Sequence, residues 1–387
     1  WLAILLSSGV QWLQQVVVGW LTYDVSRSAL LTVLAMGLGT LPYLLTAPIG
    51  GVLADRLDRS RLLAAVFASK ALVFTVFALV VISDRVEVWH IFTFVLAMGL
   101  LQSLAFPARQ SILSSIVPRD YLMNAFALTL LTSSTLQFAL PAVAGVSIAF
   151  QGPGATLLVG AVMYLTAAIA VATIRLPVSD KVQARPTSFV SDFVEGTRYV
   201  MSDPVLLPIL LMSAAVYVLI VPTVHGLLPV YASEVFDVGP VGLGLMGSAL
   251  GLGAALGAVT LASVQTLRHK GRFMIGLLAL SLAAAMAFSQ SASLAVALPL
   301  IVLVNVGFDS FAMVRSTSIQ LIAPNAMRGR AVAVNSMGSG LSLIGGLALG
   351  GAAQLLGAPH ATLIGTAFMA LALLLIAYKF REMWRFD

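Results

Sequence analysis

Asp309 is the only carboxylate placed deep within an apolar run, in the stretch Asn305-Val-Gly-Phe308-Asp309-Ser-Phe-Ala-Met-Val-Arg315. An ionised carboxylate in hydrocarbon is costly unless it is paired or hydrated, so it marks a functional position by default. At helical spacing Asn305, Asp309, Ala312, Ser316 and Gln320 share one face. Two readings fit: a group that takes up and releases a proton, or a structural partner of an arginine, Arg109 or Arg315. His225 is the second candidate for proton chemistry, or else a satisfied packing histidine; Pro222 and Pro229 kink the run around it. Amides and aromatic rings at other apolar positions suit a cavity for a large amphiphile. Gln11, Gln15 and Thr22 share a face with Gln14 beside it. Gln102, Gln137, Tyr217, Asn305 and Phe308 complete the set. Lys70 is expected to snorkel toward the membrane surface rather than to bind substrate.

Other chemistries find no residues. There is no G-x-S-x-G, no HExxH, no paired-carboxylate site and no phosphate loop ahead of a helix. The chain has no cysteine, which excludes thiol catalysis and zinc–thiolate sites, and its four histidines are scattered. No enzyme activity, metal or cofactor is expected.

The elements that must hold these residues are membrane helices. The chain is 60% hydrophobic and only 9% charged, with a mean hydropathy of +1.02. A spanning helix takes roughly 20 apolar residues, which leaves room for about a dozen. The expected spans run from Trp1 to about Tyr23, then about Leu30–Ala54, Leu62–Ser83, Val88–Val117, Leu122–Phe150 and Ala155–Arg175. After a polar stretch come about Val205–Val235, Val241–Leu267, Arg272–Gln290, Leu294–Ile322, Gly329–Leu356 and Ala361–Phe380. The chain opens at Trp1 inside an apolar run, so a short N-terminal tail is expected to precede it. The net charge of +6 and pI of 9.8 point to basic cytoplasmic loops rather than to nucleic acid. Arg56, Arg59, Arg61, Arg119, Arg185, Arg268, Lys270 and Arg328 fall at alternate loops, with Arg27 and Arg85 on the other side. Both termini and the central linker are therefore expected in the cytoplasm, and the chain in a cell's inner membrane. Phe189, Phe193 and Val200 recur at helical spacing within the linker. This reads as a short amphipathic helix at the inner surface, or as a loop turn.

One segment is dense in charge: Gly50-Gly51-Val-Leu-Ala-Asp55-Arg56-Leu-Asp58-Arg59-Ser-Arg61-Leu-Leu63. It resembles the loop signature of the major facilitator superfamily, roughly G-x-L-A-D-R-x-G-R-(K/R)-x-x-L, found between the second and third transmembrane helices. Gly51, Leu53, Ala54, Asp55, Arg56, Arg59 and Leu63 match in place. Asp58 stands where the family usually has glycine, and Arg61 supplies a base one position late. Leu140-Pro141-Ala-Val-Ala-Gly145 is similar to a degraded G-P-x-x-G-G, the bend motif of the superfamily's exporters. The run from Asp309 to Ser336, together with Phe106-Pro-Ala-Arg109-Gln, resembles the branch that holds the enterobactin exporter and macrolide efflux proteins. That resemblance implies an all-α membrane protein of twelve helices in two six-helix bundles. It further implies alternating access and proton-driven export of small amphiphilic molecules such as a drug, macrolide or siderophore. An importer or lipid transporter of the same fold, or a transport-dead sensor or scaffold, are the rivals.

An internal repeat fits two halves. Phe106-Pro-Ala-Arg109-Gln-Ser-Ile recurs as Phe311-Ala-Met-Val-Arg315-Ser-Thr-Ser-Ile, each arginine followed at the same distance by a proline, Pro118 or Pro324. The offset from Arg109 to Arg315 also relates Gly145 to Gly351 and Gly51 to Gly257. The expected division is 1–176 for the first bundle, 177–204 for the linker and 205–387 for the second bundle. Within it, Asp55 is expected to face the start of the eleventh span near Arg328 and Arg330, where a helix N-terminus favours a carboxylate. Arg59 or Arg61 is expected to pair with Asp120. The partners expected are a small-molecule substrate, protons and membrane lipid, with the chain acting as a monomer.

Overall fold

The structure, a computed structural model, describes residues 2–42, 58–117, 121–173, 189–263 and 269–382. Helices account for nearly all of it. They are α1 (Leu2–Ser26), α2 (Ala29–Leu38), α3 (Arg59–Ile82), α4 (Val88–Ile116), α5 (Leu122–Ala172), α6 (Phe189–Ser202), α7 (Leu206–Leu219), α8 (Gly239–Ala262), α9 (Lys270–Ser289), α10 (Leu294–Ile322), α11 (Asn325–Met337), α12 (Ser342–Leu356) and α13 (Ala358–Lys379). Among the described residues, ten helical stretches are long and apolar enough to cross a membrane. One of them, 131–172, has a break inside it: Gly152 has φ 81° and ψ 164°, which glycine adopts without a Cβ clash. Its length is that of two crossings. Much of the expected second span lies outside the described residues, and α2 is its described part.

The chain divides into two compact units. One holds α1 to α5 together with Val238–Ser248 at the start of α8. Its centre is aromatic. Phe74 is fully buried and meets Phe94 edge-on at 5.1 Å and Tyr164 at 5.3 Å, while Phe77 stacks on Phe94 at 4.3 Å. Gly160 of α5 lets that helix lie close to Phe74 of α3 and Val10 of α1. The Ser60 hydroxyl, at the start of α3, donates to the Val171 carbonyl at the end of α5 at 2.8 Å.

The other unit holds α6, α7, the turns up to Asp237, the rest of α8 and α9 to α13. Met212 and Val216 of α7, Met274 of α9, Phe311 of α10 and Met369 of α13 form its core. Small residues set the spacing here as well. Gly307 of α10 abuts Ser281 of α9, whose hydroxyl donates to the Val304 carbonyl at 2.9 Å, and Gly345 of α12 abuts the Val218 main chain of α7. Leu72, Leu79, Phe150, Leu374 and Tyr378 are exposed. An outside so rich in large apolar side chains needs hydrocarbon as its solvent, and the chain is a multi-pass membrane protein.

Past α7 the backbone winds wide. Val221–His225 and Tyr231–Val235 are π turns, with Gly226 N–H donating to the Val221 carbonyl at 3.1 Å and Phe236 N–H to that of Tyr231 at 2.9 Å. Pro222 and Pro229 lack the N–H groups an α-helix would use there, so the wide turns absorb the interruption.

Candidate functional site

The first unit has an open cavity of about 400 Å³, within the range of small-molecule sites. Gln11, Gln14 and Gln15 line it from α1, Lys70 from α3, Gln102 from α4 and Tyr164 from α5. The i, i+3, i+4 spacing of the α1 amides delivers all three to one wall. Gln137 is half-buried on α5 and stands outside this lining.

Lys70 does not snorkel. It is 1% exposed, its ammonium donates to the Gln102 side-chain carbonyl, and it sits 5.2 Å from the centre of the Tyr164 ring. Helix register decides this. The exposed side of α3 is Leu72, Val76 and Leu79, so Lys70 points at α4 and α5. Tyr164 is fully buried, and its hydroxyl has no hydrogen-bond partner.

In the second unit the polar centre is Asn305. Buried on α10, its amide donates to the Leu250 carbonyl of α8 at 2.7 Å and to the Asp309 carboxylate at 2.8 Å. Gly253 of α8 permits the approach, since a Cβ there would meet the Val302 carbonyl and the Asn305 side chain. Asp309 is half-buried beside half-buried Phe308. The expected pairing of Asp309 with Arg315 is not formed. Arg315 is buried too, but one helical turn and a half away; it donates to the Ser213 hydroxyl at 2.6 Å and lies 5.7 Å from the Tyr217 ring and 5.6 Å from the Phe311 ring. Aromatic faces and a hydroxyl of α7 thus take the cation instead of the acid. His225 lies in the first π turn, its ring 5.2 Å from that of Phe308, and its Nε2 has no partner. Tyr231, in the second π turn, donates to the Thr362 hydroxyl at 3.1 Å.

Gly51, Asp55, Arg56 and Asp120 lie outside the described residues, as does any pairing that involves them. Asp58, which takes the place of the family's usual glycine, caps α3: its carboxylate accepts from the Arg61 N–H at 3.0 Å. Arg59 begins α3, and the Arg61 side chain is exposed. Arg328 is exposed, and Arg330 forms an ion pair with Glu195 of α6 at 2.9 Å. Gly196 packs on the Cβ of Arg330, so α6 lies directly on α11. Because Glu195 is 60% exposed, the pair contributes at most about 1 kcal/mol. Glu195→Gln should lower the melting temperature of the detergent-purified protein by no more than a few degrees. A large drop would mean that the pair, rather than the packing of Gly196, holds α6 in place.

Residues 1–385 match the transmembrane secretion effector family. The chain belongs to that family. Its curated relatives include macrolide efflux protein A of Streptococcus pyogenes, 24% identical over 250 residues, which are 64% of this chain and 61% of that protein. The enterobactin exporter EntS of Shigella flexneri is 26% identical over 375 residues, 93% of this chain and 85% of EntS. The chain therefore spans under two thirds of the macrolide efflux protein. Among solved structures, a bacterial homologue of the human lysosomal transporter Spinster, in its inward-facing and occupied conformation, superposes with a TM-score of 0.72 at 13% identity. It covers 100% of this chain and 97% of that one. A bacterial homologue of the iron transporter ferroportin, inward-facing, gives 0.70 at 18%, covering 99% and 97%. At these identities the likenesses speak for a shared all-helical transporter-like fold alone.

Within this member of the secretion effectors, three contacts were not evident from the residue string. Lys70 with Gln102, Arg315 with Ser213, and Glu195 with Arg330 each join residues far apart in sequence. A charged residue in an apolar run is the available signal for the first two; which partner answers it depends on helix packing.

Proposed function

We propose that this chain is a secondary active exporter of small amphiphilic molecules, such as a drug, a macrolide or a siderophore, driven by protons and working by alternating access. It sits in the inner membrane as twelve helices in two six-helix bundles with both termini in the cytoplasm. The observation that carries the reading is Asp309, a half-buried carboxylate held by the amide of Asn305 inside an apolar helical unit. A carboxylate so placed can change charge while its neighbour keeps its position. The amide-lined cavity of the first unit offers space and hydrogen bonds for an amphiphile, and the named activities of the two relatives are efflux and export. His225 is the second proton-carrying candidate, and Asp55 with Arg328 and Arg330 the candidate gate.

The test is in whole cells. Loss of the chain should make cells several-fold more sensitive to at least one macrolide or siderophore in a panel. An uncoupler should abolish the difference between cells with and without the protein. Equal sensitivity across the panel would end the export reading, and a difference that survives the uncoupler would end the proton coupling.

A further inference from the structure

We propose that the cavity of the first unit binds an organic carboxylate, with the ammonium of Lys70 as its counter-charge. The proposal deepens the export reading by naming a substrate class, and depends on that reading only for the direction of movement.

The charge balance of the unit is the starting point. Lys70 is buried at 1% exposure and lines the cavity. An ammonium has three donors. One is used on the Gln102 carbonyl, and the Tyr164 ring offers its face. Among the described residues no carboxylate lies within ion-pair distance of it. The described acids of this unit, Asp24, Asp58, Asp84 and Glu87, are all exposed and lie at or near helix ends. Keeping a cation buried without an acid is strongly unfavourable, and an anion brought to it would offset that cost. This one buried cation, behind low-dielectric walls, gives the cavity a potential that favours an anion.

The rest of the lining suits a carboxylate attached to an apolar body. Gln14 and Gln15 present amide N–H groups that can complete the hydrogen bonds of carboxylate oxygens. The buried Tyr164 hydroxyl has no partner and is a further donor at the same wall. Trp12, Met36 and Met98 supply polarizable apolar contact of the kind that accepts bodies of varied shape. A purely structural Lys70, tying α3 to α4, predicts something different. Replacing it by an apolar side chain of similar length would then leave ligand preference untouched.

The experiment uses the full chain purified in detergent and two probes of one shape, 2-naphthoate and 2-naphthamide, titrated calorimetrically. The wild type should bind naphthoate about tenfold or more tightly than naphthamide, as a charge-assisted contact requires. Lys70→Met should erase that preference by weakening naphthoate alone, and Lys70→Arg should keep most of it. If Lys70→Met does not purify as a single species, Lys70→Gln removes the charge while keeping a donor for Gln102, and the same loss is expected. A wild type that fails to prefer naphthoate, absence of binding included, overturns the proposal, as does a neutral Lys70 variant that retains the preference. Either result leaves the export reading to its test in cells. Conversely, cells indifferent to loss of the chain would end the export reading while the probe preference stays measurable in purified protein.

Discussion

Asp309→Asn should reduce gradient-driven export in proteoliposomes to the level of empty vesicles while leaving substrate binding measurable. The reason lies in what the substitution keeps. Asp309 accepts a 2.8 Å hydrogen bond from the Asn305 amide, and the carbonyl of an introduced asparagine can accept the same bond. Asn305 also keeps its anchor on the Leu250 carbonyl at 2.7 Å, so α8 and α10 stay together. What disappears is the ability to exchange a proton. A neutral side chain is tolerated in an apolar unit, whereas an ionised one demands water or a cation. The amide imitates the protonated acid and cannot leave that state. The structural alternative predicts that Asp309→Asn fails to accumulate as folded protein, which size-exclusion chromatography would reveal. Proton flux on adding substrate separates the two. A well-folded variant that still moves substrate uphill at the normal rate would shift the proton role to His225, whose Nε2 is buried without a partner.

Gly145→Ala and Gly351→Ala should part company, although the internal repeat makes these positions equivalent. At Gly145 an added Cβ would run into the Pro240 carbonyl oxygen and would lie 3.0 Å from the Gly244 Cα and 3.2 Å from its nitrogen. All of these are main-chain atoms, which cannot swing aside as a side chain can. Gly244 in turn faces the Pro141 carbonyl, and the Ala142 N–H donates to Ser248 at 3.1 Å. Overpacking such a contact costs about 1–3 kcal/mol, hence a fall of several degrees in melting temperature. At Gly351 nothing lies within 4 Å of the added carbon. Alanine there gains helix propensity of about 1 kcal/mol over glycine, so its melting temperature should hold or rise slightly. Thermal melts of the two variants in one detergent decide the matter, and equal shifts would sink the argument. Beyond stability, the contact gives a physical role to Pro141 and Gly145. Proline interrupts the α5 hydrogen-bond ladder, and glycine lets α8 come within main-chain distance at that point.

The all-helical membrane architecture could be read directly, because long uncharged runs have few alternatives in a bilayer. The contact between Asn305 and Asp309 was also legible, since positions four apart meet on a helix whatever surrounds it. The fate of Lys70 was not. Its four-carbon stem can reach either a membrane surface or an interior partner, and only the packing of α3 against Gln102 and Tyr164 selects the interior. Arg315 shows the same limit from the other side. Sequence proximity suggested Asp309 as its partner, but the ring of Tyr217 and the hydroxyl of Ser213, brought by α7, take that place. The repeat misleads in a further way: equal spacing equates Gly145 with Gly351, yet one has a neighbouring main chain and the other open space. Prolines 222 and 229 announced a disturbance near His225 but not its form, because a kink, a break and a wide turn all relieve the same missing N–H groups.

That form has a mechanical meaning. A π turn holds one residue more than the α turn it replaces, and the segment from Val221 to Val235 has two of them. It therefore stores spare chain length while keeping main-chain hydrogen bonds at both wide turns. Rewinding one turn to α geometry would rotate everything on one side by roughly 100° about the helix axis and advance it by about 1.5 Å. His225 and Tyr231 sit at the end of the first wide turn and the beginning of the second, so they would turn with it. Such a slide of register would redirect these side chains without bending the helix axis.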